Sequence, residues 1–192
     1  MRPHLLFCAF LCLAMSAPVA HAQDRGGFTL LGTLGYGLQS NGVITVYDYY
    51  YYGEPRTYGG GTYSSWAGLN LGIGGFIAKD TALMLRFSGT SFTAKYIDEY
   101  RAEKETDVVS GVMVLGVQHW IQDRFNVEAG AGLGIFSTGK NDDESGLGLM
   151  LGGAWSFYQH KKLSLQLGIE DAVFAGDTTV NSLGFCFGVQ LL

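Results

Sequence analysis

The side chains with chemistry to offer are few and scattered. Arg86, Glu128 and Glu170 stand as isolated charges inside stretches that are otherwise small or apolar. Brought together in a narrow interior, they would have to be paired or solvated. One arrangement is an internal salt-bridge network, with Asn70 and Gln166 completing its hydrogen bonds. The other is a gate or a small-ion pore. The network is the favoured expectation, because the three charges come from three separate segments. His119 and His160 offer acid–base or metal chemistry only with convergent Ser, Asp or Cys partners. His160 sits beside Lys161 and Lys162, where a solvated turn is the simpler reading. Cys186, between Phe185 and Phe187, reads as a small packing residue rather than a nucleophile. Gly130-Ala131-Gly132-Leu133-Gly134 has the glycines of a phosphate loop but lacks the Lys-Ser/Thr that follows one. No catalytic, cofactor or metal residues are therefore assigned. A last group is Tyr47, Tyr49, Tyr50, Tyr51, Tyr52 and Tyr58, crowded together with Glu54 and Arg56. Rigid aromatic rings bind at little entropic cost, so this cluster reads equally as a contact surface or as an extension of the flanking strands.

The elements that must position these groups repeat with period two. Alternation runs through residues 27–39, 63–77, 82–91, 108–120, 125–137, 146–158, 163–170 and 181–191, which predicts eight strands. One face is large and apolar, as in Leu83, Leu85 and Phe87, or Leu163, Leu165, Leu167 and Ile169. The other holds Gly, Ser, Asn, Gln and the three charges. In the 63–77 segment Tyr63 falls in phase with the apolar set Leu69, Leu71 and Ile73. A soluble barrel buries its large face and coats the other with charge. Here the second face has too few charges and too much glycine for that, so large residues are expected toward lipid and small ones in a narrow lumen. Connections alternate long (40–62, 92–107), medium (138–145, 171–180) and tight (78–81, 122–124, 159–162). Aromatics near the strand ends suggest two interfacial belts: Phe76, Trp120, Phe125, Trp155, Phe157 and Tyr158 at the tight turns, and Tyr36, Tyr63, Phe136 and Phe174 at the longer loops.

Composition agrees. Gly is 29 of 192 residues and charged residues are 15%; the first is about twice the usual share and the second well below the usual ~25%. With aromatics at 14%, disorder is excluded. Residues 1–22 read as a secretory signal: Arg2 and His4, an apolar stretch from Leu5 to Met15, then Ala20-His21-Ala22 as the cleavage site. Cleavage after Ala22 leaves a barrel domain over 23–192 with Cys186 as its single cysteine, hence no intrachain disulfide. The mature chain is acidic and has no basic patch, so nucleic acid is not an expected partner.

The signal peptide, the eight alternating segments and the final Gly184-Phe185-Cys186-Phe187-Gly188-Val189-Gln190-Leu191-Leu192 stretch together resemble the small outer-membrane β-barrel superfamily, the OmpA/OmpX-like group. Members often end in an aromatic residue; this chain ends in Leu192. The resemblance implies an all-β fold, an eight-stranded antiparallel up-and-down transmembrane β-barrel, in the cell outer membrane of a Gram-negative bacterium. It implies a monomer among outer-membrane lipid and lipopolysaccharide, inserted by the barrel-assembly machinery. The expected role is non-enzymatic, structural or surface contact through extracellular loops, with a possible ligand at the Tyr-rich loop. Alternatives are a narrow channel for small or apolar solutes, a lipid A-modifying barrel enzyme, and a soluble ligand-holding barrel.

Overall fold

The computed structural model describes residues 27–41, 44–47, 55–58, 61–97, 103–138 and 143–192. The expected signal peptide and Tyr49 to Tyr52 lie outside them. Among the described residues ten strands form: β1 (Phe28–Asn41), β2 (Ile44–Tyr47), β3 (Pro55–Tyr58), β4 (Gly61–Ala78), β5 (Thr81–Ile97), β6 (Glu103–Ile121), β7 (Phe125–Ser137), β8 (Asp143–His160), β9 (Leu163–Ala175) and β10 (Thr179–Leu191). Eight of them close into an antiparallel barrel in the order β1-β10-β9-β8-β7-β6-β5-β4, while β2 and β3 pair as a separate hairpin. Closure is made by β1 against β10, with Leu30 opposite Leu191 and Leu38 opposite Leu183. A closed ring leaves no sheet edge, so every strand's backbone is satisfied by its neighbours.

The two faces separate by size, because side chains alternate along each strand. Outside stand the large apolar residues: Phe185 is 71% exposed and Leu133 63%. Inside are Arg86, Glu128, Asn70, Gln118, Gln166 and Gln190, all buried. On β7 the outward set runs from Phe125 to Ile135. At ~3.3 Å per residue and a tilt of ~40°, that is a band ~25 Å tall, the thickness of a lipid-facing belt.

The barrel has a turn end and a loop end. The tight connections join β4 to β5, β6 to β7 and β8 to β9, and at two of them Gln122 and Lys161 adopt left-handed backbone. Leu192 donates its N–H to Lys162 there, so the last residue is fastened to the rim. At the loop end the strands run further than the alternation predicts. Residues 92–107, expected as a long charged loop, are mostly strand: β5 continues to Ile97 and β6 begins at Glu103. In this stretch the polarity of the faces reverses. Phe92, Ala94 and Val108 point inward and are buried, while Thr93 and Asp107 are exposed and hydrogen-bonded at 3.0 Å. The reversal marks where the strands leave the apolar belt, and it hides them from a pattern that seeks apolar residues outside. The 171–180 connection likewise shrinks to residues 176–178.

The expected aromatic belts are corrected in part. Phe125, Tyr158 and Tyr36 face outward. Trp120, Phe136 and Phe174 are buried inside the barrel, in phase with Gln118, Glu128 and Glu170 on their own strands. Tyr63 also turns inward, against the expectation that it shares a face with Leu69 and Leu71. A bulge is responsible: pairing of β1 with β4 shifts between Thr33 and Gly35, and pairing of β4 with β5 shifts between Ala67 and Leu71. One extra residue swaps the faces.

Candidate functional site

The lumen gathers the candidate residues, and its two halves are built differently. Toward the turn end lies an amide network. Gln190 donates to Gln118 Oε1 at 2.7 Å and to Thr29 Oγ1 at 3.1 Å. Gln166 donates to Gln190 Oε1 at 2.6 Å, and Asn126 to Gln166 Oε1 at 3.4 Å. Ser156 and Ser164 join at 2.8 Å. Amides serve here because each side chain both donates and accepts, so links between strands close without net charge.

Above this network is the ionic layer. Arg86 on β5 is 2% exposed. Its Nη1 reaches Glu128 Oε2 on β7 at 2.5 Å, and its Nη2 reaches Glu170 Oε2 on β9 at 2.7 Å. Asn70 on β4 donates to the other oxygen of Glu170 at 2.8 Å and accepts from the Gly89 N–H at 3.3 Å. One planar guanidinium therefore ties two carboxylates across the lumen, a task its forked donors suit. Gly72 makes room: a Cβ there would lie 2.5 Å from Arg86 Cδ. Arg86, Glu128, Glu170 and Asn70 thus come together in one layer. Gln166 belongs instead to the amide network, and Gln118, Asn126 and Gln190 join it there. These last three stood on the inward parity in the sequence, but as neutral amides they gave no signal of clustering. The space left beside Arg86, Glu128 and Cys186 is about 30 Å³, roughly the volume of one water.

Toward the loop end the lumen is apolar. Phe92, Ala94, Val108, Phe136, Phe174 and Val180 form one cluster with Tyr63 against it. Phe136 stacks on Phe174 with centroids 5.9 Å apart, and Tyr63 on Phe92 at 5.2 Å. Val112, Val114, Met150 and Ala172 continue the filling downward. Gly134 leaves space for a ring: a Cβ there would sit 2.5 Å from Phe174 Cδ2. Gln39 is a buried amide in this half. It is fully buried, and among the described residues neither amide atom has a hydrogen-bond partner.

The other candidates stay apart. His119 lies on the outer face, its Nδ1 3.0 Å from Thr81 Oγ1. His160 stacks beside Tyr158 near a tight turn. Cys186 is buried, with Sγ 3.9 Å from the Gly184 carbonyl. Among the described residues no three His, Cys, Asp or Glu side chains gather as metal ligands would. Of the Tyr group, Tyr47 and Tyr58 fall on the β2–β3 hairpin, where Tyr47 is opposite Pro55 and Tyr58 opposite Ile44. That hairpin is a sheet of its own, distinct from the barrel strands.

Neither a family model nor a curated protein matches the sequence. Solved structures do. Neisserial surface protein A aligns over 86% of this chain and 96% of its own, with a TM-score of 0.55 at 13% identity. Ail of Yersinia pestis aligns over 87% of this chain and 100% of its own, with a TM-score of 0.47 at 14% identity. OprG of Pseudomonas aeruginosa covers 88% of this chain and 98% of its own, with a TM-score of 0.46 at 11% identity. The likeness to the Neisserial protein is one of fold: this chain has the architecture of a small outer-membrane β-barrel.

Proposed function

We propose that this chain is a non-enzymatic outer-membrane barrel whose lumen is a structural core and whose outward role is carried by the loop end. The observation that carries the reading is the filling of the interior. Stacked rings close the loop half, and Arg86 bridging Glu128 and Glu170, with linked amides below, closes the turn half. A conducting lumen needs continuous water; this one has space for about one water beside its charged layer. The apolar outer belt supports residence in lipid, because exposed apolar area on this scale is not held in water by a monomer. The chain is exported by its 1–22 signal, cleaved after Ala22, and inserted by the barrel-assembly machinery as a monomer. Its tight turns face the periplasm and its long loops the exterior. There the loop end, with Tyr47 and Tyr58 on the β2–β3 hairpin, meets lipopolysaccharide or an extracellular ligand.

Cell fractionation with a heat-modifiability gel tests the placement. Recovery in the outer membrane, with a mobility shift between unboiled and boiled samples, is expected. Recovery as a soluble protein without detergent would overturn it.

A further inference from the structure

The small cavity beside the ionic layer is walled by polar groups whose hydrogen bonds are incomplete. It measures about 30 Å³. Thr33 on β1 and Glu128 on β7 both line it, and both are more than nine-tenths buried. Thr33 Oγ1 and Glu128 Oε1 bond to no described residue. Glu128 gives its other oxygen to Arg86, so Oε1 is a bare acceptor. Arg86, on the same wall, has an unpaired donor at Nε. A buried polar group left without a partner carries its full desolvation penalty.

Two glycines shape this cavity. Gly152 on β8 lines it and stands between Glu128 and Glu170 in one cross-strand row. A Cβ at Gly152 would make only ordinary contact, its nearest neighbour the Ile169 carbonyl oxygen at 3.4 Å. Crowding therefore does not demand glycine there, as it does at Gly72 against Arg86. What the glycine preserves is the space beside the carboxylate. Gly188 on β10, opposite Thr33, works from the other side. A Cβ there would lie 2.9 Å from Thr33 Cγ2, so this glycine gives the threonine its seat.

We infer that this cavity is the site of one buried water, which donates to Glu128 Oε1 and hydrogen-bonds Thr33 Oγ1. The inference rests on the closed-lumen reading above and deepens it. The charged residues on the wall are Arg86, Glu128 and Glu170, one cation against two anions. A small metal cation would offset the excess charge, but it would stand against the guanidinium and leave Arg86 Nε without an acceptor. An anion would face two carboxylates. A neutral molecule that both donates and accepts has neither conflict, and its lone pairs suit Arg86 Nε. The volume admits nothing larger than water, and the polar partners are as many as a buried water needs. Asn70, Arg86, Glu128 and Glu170 already tie β4, β5, β7 and β9. The water adds Thr33, and with it β1, which closes the ring against β10.

Urea unfolding of the full mature barrel from phosphatidylcholine vesicles tests the bridge by sign. Thr33→Val removes one partner of the water, and Gly152→Ala puts a methyl in its place. Each should raise the unfolding constant roughly tenfold. Once Gly152→Ala has displaced the water, the Thr33 hydroxyl is stranded, so adding Thr33→Val should then lower the constant. In a dry cavity both single substitutions would stabilise, one by removing an orphan hydroxyl and the other by filling space. That result, or an equal loss from Thr33→Val in both backgrounds, would overturn the assignment. A second readout is nuclear Overhauser transfer between water and the Thr33 methyl, in the barrel held in nanodiscs. A peak in the wild type that Gly152→Ala abolishes is expected; no peak in the wild type, or one that survives the substitution, contradicts the site. Unfolding midpoints should be equal in sodium chloride and in N-methylglucamine chloride of the same ionic strength. A sodium dependence that Gly152→Ala removes would give the cavity to a cation instead. Planar-bilayer recording separates the two readings: a silent barrel that fails these tests loses only the water, whereas a conducting one loses the closed lumen.

Discussion

The two halves of the lumen solve one problem by opposite means. In both, the ring of eight strands leaves space that must be filled. The turn half fills it with Gln118, Asn126, Gln166 and Gln190, capped by Arg86 between Glu128 and Glu170. The loop half fills it with Phe92, Phe136, Phe174 and Val180. Polar filling depends on each member having its partners; apolar filling depends on volume. The first should fail sharply when one member is removed, because a half-satisfied buried network is worse than none. The second should fail in proportion to the space opened.

The largest effect is expected at Arg86. Arg86→Met leaves Glu128 and Glu170 buried without their shared cation and should cost about 3–5 kcal/mol in guanidinium unfolding from lipid vesicles. Adding Glu128→Gln and Glu170→Gln to it should recover most of that loss. If the triple variant is no better than the single one, the ionic layer is not governed by charge balance.

In the loop half, Phe174→Ala should cost about 3 kcal/mol, and Phe174→Leu less than about 1.5 kcal/mol, in the same unfolding measurement. Neither should conduct ions, since the ionic layer below is untouched. Conductance in Phe174→Ala would show that the aromatic half alone is the seal.

A smaller loss is expected at Gln190, which links Gln118, Gln166 and Thr29. Gln190→Ala should cost about 1–3 kcal/mol by stranding their polar atoms. Gln39 sharpens the contrast from the other side: a buried amide in the apolar half without a partner among the described residues. Gln39→Leu should be neutral or stabilising by about 1 kcal/mol, visible as an unchanged or raised unfolding midpoint. A loss as large as that at Gln190 would mean that both halves rest on polar linkage.

The smallest effect is local. Glu144 Oε1 accepts the backbone N–H groups of Asp177 and Thr178 and so fastens the β9–β10 connection. Glu144→Ala should raise hydrogen exchange at residues 176–178 and leave the global midpoint within about 0.5 kcal/mol of wild type.

Legibility in the sequence followed the same division. All eight barrel strands were readable, because period-two alternation had no helical rival. The inward set Arg86, Glu128, Glu170 and Asn70 was readable too, because a charge inside such a strand has nowhere else to go. Phe136 and Phe174 were assigned outward only because aromatics near strand ends suit an interface. Their parity with Glu128 and Glu170 already carried the correct answer. Tyr63 had no such signal: a bulge within β4 between Ala67 and Asn70 reverses its parity, and Ala67-Gly68-Leu69-Asn70 carries no compositional mark of one. The extension of β5 and β6 was hidden by the reversal of face polarity at Phe92 and Val108.

The central claim is that this barrel is closed by its own side chains. Planar-bilayer recording on the purified, refolded wild type tests it most directly. Electrical silence across the membrane, in a sample whose heat-modifiability shows a folded barrel, is the predicted result. Steady unitary conductance from that same sample would contradict it, since ions would then have a path past both Phe174 and Arg86.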